Sequence, residues 1–356
     1  MDTTVPYAPC RLVVDLNHLA FRNWAANGDL ATSKGELTGA IYGTLKSLMA
    51  LSEQFKPEEI IGVRDSPAPF RRSIYPAYKA NRLRENSTPE ETRARANFEE
   101  QIGKLSEILA GLGVPVLTID GLEADDLAAL VAHGVPFAGT TILVSGDRDY
   151  VQLVRPGVLL LSPMLRNNGK LLLCDGPERE EINEEGWRRL YEVGPRTFIK
   201  NVEKLPRGMG LDRWLLYRAL VGDSSDNLPG VHGIGPAAAL KIVESFYCLD
   251  GLKKGSEDGW KAVMNSRQRE SLERAIANQD LDKQYRIIDL SSLPRMEGAA
   301  ELINYLRIVM VATGTDEKAV RSALVRYEMS SLLLNWKKFL RVFPAFGEPL
   351  LDKRGS

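Results

Sequence analysis

Short apolar runs that end in an acidic residue recur along this chain, and each leads into a stretch with apolar positions at helical spacing. The first is Arg11-Leu12-Val13-Val14-Asp15-Leu16-Asn17, which reads as a buried strand closed by an acid, with a helical run from Leu19 to Ala26 behind it. Ile41, Leu45, Leu48 and Leu51 predict a helix over Gly39 to Phe55, and Ile60-Ile61-Gly62-Val63 predicts a second strand that runs out at Asp65. Val114 to Ile119 predicts a third strand, after which Gly121-Leu122-Glu123-Ala124-Asp125-Asp126 opens a helix with Leu127, Leu130 and Val131 turned inward. Thr141 to Val144 predicts a fourth, with Asp147 and Asp149 just past its end. Strands alternating with helices build a parallel sheet, and such sheets gather ligands outside the carboxyl ends of their strands. These acids are therefore expected to face one crevice.

A further segment, Gly222-Asp223-Ser224-Ser225-Asp226, runs into Gly230, Gly233 and Gly235 ahead of a helical run from Ala237 to Phe246. Glycines let backbone amides approach an anion closely, and the helix they introduce adds the positive end of its dipole, an arrangement that suits a phosphodiester. Any one of these acids alone reads equally well as a helix cap or a turn residue. Together they are nine carboxylates: Asp15, Asp65, Glu123, Asp125, Asp126, Asp147, Asp149, Asp223 and Asp226. Two carboxylates ~5 Å apart repel by about 3 kcal/mol at an effective dielectric near 20, so a cluster of them without cations is expected to unfold or take up protons. Oxygen-only ligands select hard ions, magnesium or manganese, and a site for two such ions serves in-line phosphoryl displacement.

Lysine plus arginine (46) nearly balances aspartate plus glutamate (47), so a surface for a polyanion has to come from local segregation of charge. Eight basic residues fall between Arg64 and Arg95, interleaved with Phe70, Tyr75 and Tyr78, the mixture that single-stranded nucleic acid uses for stacking plus backbone attraction. A polar turn over Asn86 to Glu91 predicts the cap of a helix reaching about Leu112. Val158 to Leu161 and Leu171 to Cys174, separated by Asn167-Asn168-Gly169, predict a hairpin at the sheet edge. Helices are also expected over Glu184 to Leu190, Asp212 to Val221, Phe246 to about Leu281, Glu301 to Val311, Glu317 to Arg321 and Ser330 to Phe343. Cys10, Cys174 and Cys248 form no Cys-x-x-Cys pair, and His18, His133 and His232 are scattered, which argues for a reducing compartment and against zinc. Met1 to Cys10 lacks a basic region leading into an apolar stretch, and no apolar run approaches the ~18 residues of a membrane span, so a cytoplasmic location is expected.

The ordered motifs Val14-Asp15, Asp65 with Phe70-Arg71 and Tyr78-Lys79-Ala80-Asn81-Arg82, Glu123-Ala124-Asp125-Asp126, Asp147-Arg148-Asp149, and Gly222-Asp223-Ser224-Ser225-Asp226-Asn227 with Gly233-Ile234-Gly235 resemble the flap endonuclease and 5'-to-3' exonuclease family. That family includes the 5'-nuclease domain of bacterial DNA polymerase I and free-standing bacteriophage enzymes, and the resemblance covers roughly residues 11–290. It implies a twisted, mainly parallel α/β core of PIN-like type with helices on both faces, spanning residues 1–200 and carrying a helical arch over about 66–112. A helix-three-turn-helix subdomain over 201–295 and a C-terminal helical extension over 296–356 would complete the chain.

By position, the resemblance makes Asp15, Asp65, Glu123 and Asp125 ligands of one metal ion and Asp147, Asp149 and Asp226 ligands of a second, with Asp126 and Asp223 nearby or acting through water. Lys79 and Arg82 are implied as arch cations that meet the scissile phosphate, and Tyr78 as a stacking partner for a base. Arg71, Arg72, Lys241 and the loop carrying Gly230, Gly233 and Gly235 are expected to contact DNA, the loop with a potassium ion on its carbonyls. The expected activity is a two-metal 5'-nuclease acting on DNA flaps, nicks and 5' ends and on RNA paired to DNA. The expected setting is replication or repair in a bacterial or phage-infected cell, as a monomer beside a polymerase and single-strand-binding protein. Too few residues follow position 290 for a polymerase domain, so a free-standing nuclease is implied. Three features depart from the family's pattern: Arg64 before the strand-end acid, a longer stretch between Arg82 and Gln101, and Ala237-Ala238 where Lys-Thr is common. The alternatives are a non-catalytic binder of DNA junctions and a PIN-like ribonuclease, which would lack the Gly233-Ile234-Gly235 element.

Overall fold

A computed structural model of the chain describes residues 9–66, 71–82, 88–155, 157–167, 170–174 and 211–346. Phe70, the hairpin turn at residues 168–169, the helix expected over 184–190 and the division expected at residue 200 lie outside the described residues.

Six strands form one sheet: β1 (Cys10–Asp15), β2 (Glu59–Val63), β3 (Val116–Leu117), β4 (Thr140–Val144), β5 (Val158–Asn167) and β6 (Lys170–Cys174), in the order β3-β2-β1-β4-β5-β6. The first five are parallel, and β6 returns antiparallel along β5 as the edge hairpin. The third strand is shorter than the apolar run from Val114 to Ile119 suggested, because only Val116 and Leu117 find a partner on β2. Every residue of β1 is buried, as a central parallel strand covered on both faces requires. Alternation sends Leu12 and Val14 into one core and Val13 into the other.

The first core packs β1, β4 and β5 against α1 (Leu16–Ala26), α2 (Gly39–Phe55) and the later half of α4 (Pro89–Gly111). A capping box of Thr88 and Glu91 with Pro89 at the first position starts that long helix. From Phe98 onward its apolar face is buried, so this half of the stretch expected to arch over the site belongs to the core. The second core lies on the opposite face, where α5 (Ala124–Gly134) covers Val13, Ile61, Val63, Leu143 and Leu160. A short helix α3 (Arg71–Ile74) and a 3-10 turn, Ala80–Arg82, occupy the described part of the basic stretch.

Residues 211–288 form a third, all-helical core from α6 (Leu211–Val221), α7 (Pro236–Ser245), α8 (Leu249–Lys253), α9 (Glu257–Val263), α10 (Ser266–Ala277) and α11 (Asp280–Ile288). The sequence reads as one helix from Phe246 to Leu281, but Ser256 and Asn265 accept hydrogen bonds from the amides of Gly259 and Gln268 and start new helices there. Gly222 and Gly230 have φ of +77° and +67° and pack backbone against backbone, so a Cβ at Gly222 would lie 2.4 Å from the amide nitrogen of Gly230.

After residue 296 the chain covers both faces of the sheet. The helix α12 (Ala299–Ala312) packs Leu306 into the second core, while α13 (Glu317–Arg326), α14 (Ser330–Leu334) and α15 (Trp336–Arg341) supply Val320, Leu324, Leu332 and Phe339 to the first. No helix among the described residues is long and apolar enough to cross a membrane. Phe339 is fully buried and stacks edge-on with Phe343 at 5.3 Å. Phe339→Ala is therefore expected to cost the α/β core about 3–5 kcal/mol, a loss that urea unfolding followed by far-UV circular dichroism will read.

Candidate active site

Two strand-end acids meet across a shared hydroxyl. Asp15 ends β1 and caps α1, its Oδ1 accepting from the His18 amide at 2.9 Å and its Oδ2 from the Ser145 hydroxyl at 3.0 Å. The Ser145 hydroxyl in turn accepts from the Asp147 amide at 3.1 Å, so the ends of β1 and β4 are held in register. Burial, reinforced by the like charges of Asp65 and Asp147, pushes the Asp15 carboxyl up to about 7 against the pull of the His18 amide. Asp65, two residues beyond β2, accepts from the Ala124 amide at 2.9 Å and so pins the first turn of α5 beside the other strand ends.

That turn carries Glu123, Asp125 and Asp126, and one guanidinium serves all three. Arg71 is 3% exposed; it donates to Glu123, to Asp125 at 2.8 Å and to Asp126 at 2.7 Å, while its Nε donates to the Ile287 carbonyl at 2.9 Å. Lys79 Nζ lies 2.6 Å from Glu123, and the Tyr78 hydroxyl donates to the same carboxylate at 2.7 Å and reaches Asp226 at 3.4 Å. Burial works against ionisation of Glu123, yet Arg71 and Lys79 hold its carboxyl down to about 2. Asp125 and Asp126 are pushed up, first by burial and then by their neighbouring carboxylates, because three acids here share two cations.

A second internal cation ties in the remaining acids. Arg218 donates to Asp149 at 3.0 Å and to Asp223 at 2.7 Å. Burial and Asp147 push Asp149 up to about 6 in spite of Arg218, whereas hydrogen bonds from Ser225 and Arg218 overcome burial and hold Asp223 at about 2. The loop after Asp223 docks on the basic stretch: the Lys79 amide donates to the Asp226 carbonyl at 2.9 Å, Asn227 Nδ2 to the Ala77 carbonyl at 2.7 Å and Asn81 Nδ2 to the Ser224 carbonyl at 2.8 Å. Lys79 and Asn227 both hold left-handed backbone, φ +53° and +57°, an arrangement that side chains tolerate only where surrounding contacts dictate it.

The Asp147 carboxylate accepts from the Asp149 amide at 3.0 Å, which links the strand-end acids to the Arg218 cluster. As the side chains stand, no group of three or more acids, histidines or cysteines among the described residues is close enough to hold a metal ion, because Arg71, Lys79 and Arg218 draw the carboxylates to themselves. The donor set still suits a hard divalent ion: all its ligating atoms are oxygen, and the raised carboxyls of Asp15 and Asp149 mark a crevice short of positive charge.

The 5'-3' exonuclease N-terminal resolvase-like domain matches residues 11–184, and the C-terminal SAM fold of the same family matches residues 211–294. The chain belongs to the 5'-3' exonuclease family. It is similar to a 5'-3' exonuclease of Aquifex aeolicus, 29% identical over 331 residues that make up 92% of this chain and 96% of the relative. It is also similar to the thermostable DNA polymerase I of Thermus thermophilus, 36% identical over 245 residues covering 68% of this chain, and it spans only 25% of that relative's length. Among solved structures, the bacteriophage T5 5'-exonuclease with bound divalent zinc superimposes with a TM-score of 0.58 at 20% identity, over 84% of this chain and 99% of that one. At that identity the likeness is one of fold.

In this chain, several residues expected at the DNA interface have other places. Arg71 is a buried clamp on carboxylates, so its charge is spent inside the protein; Tyr78 is 2% exposed, which leaves its ring no open face for a base. Gly230 exchanges hydrogen bonds with the Gln284 side chain and packs against Val221, so its backbone is used within the subdomain. Gly233 and Gly235 are exposed with open space at their Cβ positions, and the Gly233 carbonyl accepts from Gln268 at 3.0 Å. Lys241 is exposed, Arg72 is half-buried, and the Arg82 side chain lies outside the described residues. Sequence reasoning missed Ser145 and Arg218. Ser145 lies two residues before Asp147 without a charge to mark it, and Arg218 sits on a helix whose partners are fixed only by folding.

Arg71→Met is expected to leave three buried carboxylates short of their main cation and to destabilise the protein by about 3–5 kcal/mol at pH 8, measured by urea unfolding, with a smaller loss at pH 5 where the acids take up protons. For the metal-free wild type, Asp15 and Asp149 hold protons in the folded state that the unfolded chain releases near pH 4. Stability should therefore fall as pH rises from about 4 to about 7 and then level off, as urea unfolding across that range will read.

Proposed function

We propose that this chain is a divalent-metal-dependent 5'-nuclease that hydrolyses phosphodiester bonds of DNA at 5' flaps, nicks and 5' ends. The observation that carries the reading is the set of carboxylates held in place at the carboxyl edge of the parallel sheet, Asp15 by the Ser145 hydroxyl, Asp65 by the Ala124 amide and Glu123 by Lys79. A solvated acidic face has no need of buried acids held at raised values, nor of a lysine held over them in left-handed backbone. The matches to both family domains in chain order, and the Aquifex 5'-3' exonuclease of nearly the same extent, support the same activity.

In this reading Asp15, Asp65, Glu123 and Asp125 hold one ion and Asp147, Asp149 and Asp226 a second, with Asp126 and Asp223 behind them. Bound magnesium or manganese supplies Lewis acidity and an acidified water for in-line displacement. The chain's own residues do the rest. Ser145 and the His18 amide fix both oxygens of Asp15, so that its remaining lone pairs face the crevice. Burial opposes the charge on Lys79, but Glu123 and Asp226 keep its ammonium protonated, available to donate to an oxygen of the scissile phosphate. Gly233 and Gly235, open at the start of α7, let duplex phosphates approach the amide end of that helix.

Cleavage of a 5'-labelled flap, a nicked duplex and single-stranded RNA, each with magnesium and with EDTA, tests the reading. Magnesium-dependent cleavage of the DNA flap and the nicked duplex is expected. Tight flap binding without cleavage would instead make the chain a junction binder, and preferred cleavage of single-stranded RNA would make it a PIN-like ribonuclease. Lys79→Ala should lower the single-turnover rate on the flap by roughly 100-fold with little change in flap affinity.

A further inference from the structure

One buried polar atom in this region has no use in the contacts described above. Tyr150 follows Asp149 on the 3-10 turn Arg148–Leu153, and its ring packs with Val13, Val63 and Leu127 between the sheet and α5. The residue is 1% exposed, yet its hydroxyl has no hydrogen-bond partner among the described residues. A tyrosine phenol is a neutral donor at working pH. Tyr150 stands beside Asp149 in the turn that follows β4, at the carboxyl edge of the sheet to which Asp15, Asp65 and Asp147 also belong.

A buried hydroxyl left without a partner costs about 1–3 kcal/mol, and buried tyrosines ordinarily find one. Phenylalanine would fill the same space without that cost. The hydroxyl therefore fits a partner that enters the crevice from outside. We propose that Tyr150 is a positioning residue of the metal site, donating its hydrogen bond to a water or carboxylate oxygen in the crevice and thereby orienting the acids that take up a divalent cation. The inference rests on the nuclease reading above only in requiring that the crevice bind such a cation.

The test is Tyr150→Phe in the full chain, titrated with Mn2+ by calorimetry in the absence of DNA. Outer donors of this kind are worth 10- to 100-fold in metal affinity, so Mn2+ binding should weaken by about 10-fold or more. The melting temperature of the metal-free variant should match or exceed that of the wild type, because the orphaned donor is gone. A purely structural role would move stability and leave Mn2+ affinity alone. Independently of whether that variant folds, 3-fluorotyrosine placed at position 150 should shift its 19F resonance when Mg2+ is added. Unchanged Mn2+ affinity in the folded variant, or a 19F resonance indifferent to Mg2+, overturns the proposal while leaving the nuclease reading intact, provided the wild type binds Mn2+ and cleaves the flap. A wild type that takes up no Mn2+ overturns both.

Discussion

The guanidinium of Arg71, buried among Glu123, Asp125 and Asp126, is the interaction on which the site depends. Like-charged carboxylates at the edge of one sheet repel, and burial strengthens that repulsion because water no longer screens it. The fold meets this cost from within by drawing a basic segment into the acids. That segment cannot then be placed independently: Arg71 also reaches the Ile287 carbonyl, so the start of the basic stretch, the first turn of α5 and the last helix of the all-helical core converge on one side chain. The elements that would touch nucleic acid are thereby coupled to the elements that would do chemistry.

The same arrangement sets up a competition. Arg71, Lys79 and Arg218 partly satisfy the carboxylates, while Asp15 and Asp149 keep raised carboxyls that further positive charge would lower. A divalent ion entering a site balanced in this way would exchange the carboxylates' internal partners for external ones, and its affinity would be set by the difference. The left-handed backbone at Lys79 and Asn227 fits that picture: three hydrogen bonds between the two loops hold both residues in a conformation they would not choose alone.

The C-terminal helices show how position along the chain can mislead about position in space. Residues from 299 onward follow the family's recognisable motifs, yet Leu306, Val320, Leu324 and Phe339 are as buried as the strands themselves. An amphipathic helix states in its pattern that it will cover something apolar; the pattern does not say which face of which sheet. Here α12 goes to one face and α13 to α15 go to the other.

By itself the sequence determined the parallel strands, the acids at their carboxyl ends and the family, because periodicity and strand-end position are local properties that a chain carries before it folds. Asp15, Asp65, Glu123 and Asp147 were legible for that reason. Tertiary structure alone decided which cation meets which acid. Arg71 and Tyr78 read as surface contacts for DNA because basic and aromatic residues alternate there, and the fold makes them internal partners by bringing Asp126 and Glu123 within hydrogen-bonding distance of them. Arg218, Ser145 and Tyr150 carry no motif of their own. Their roles come from distances of about 3 Å between residues far apart in sequence, or from the lack of any such partner, and no local pattern encodes those.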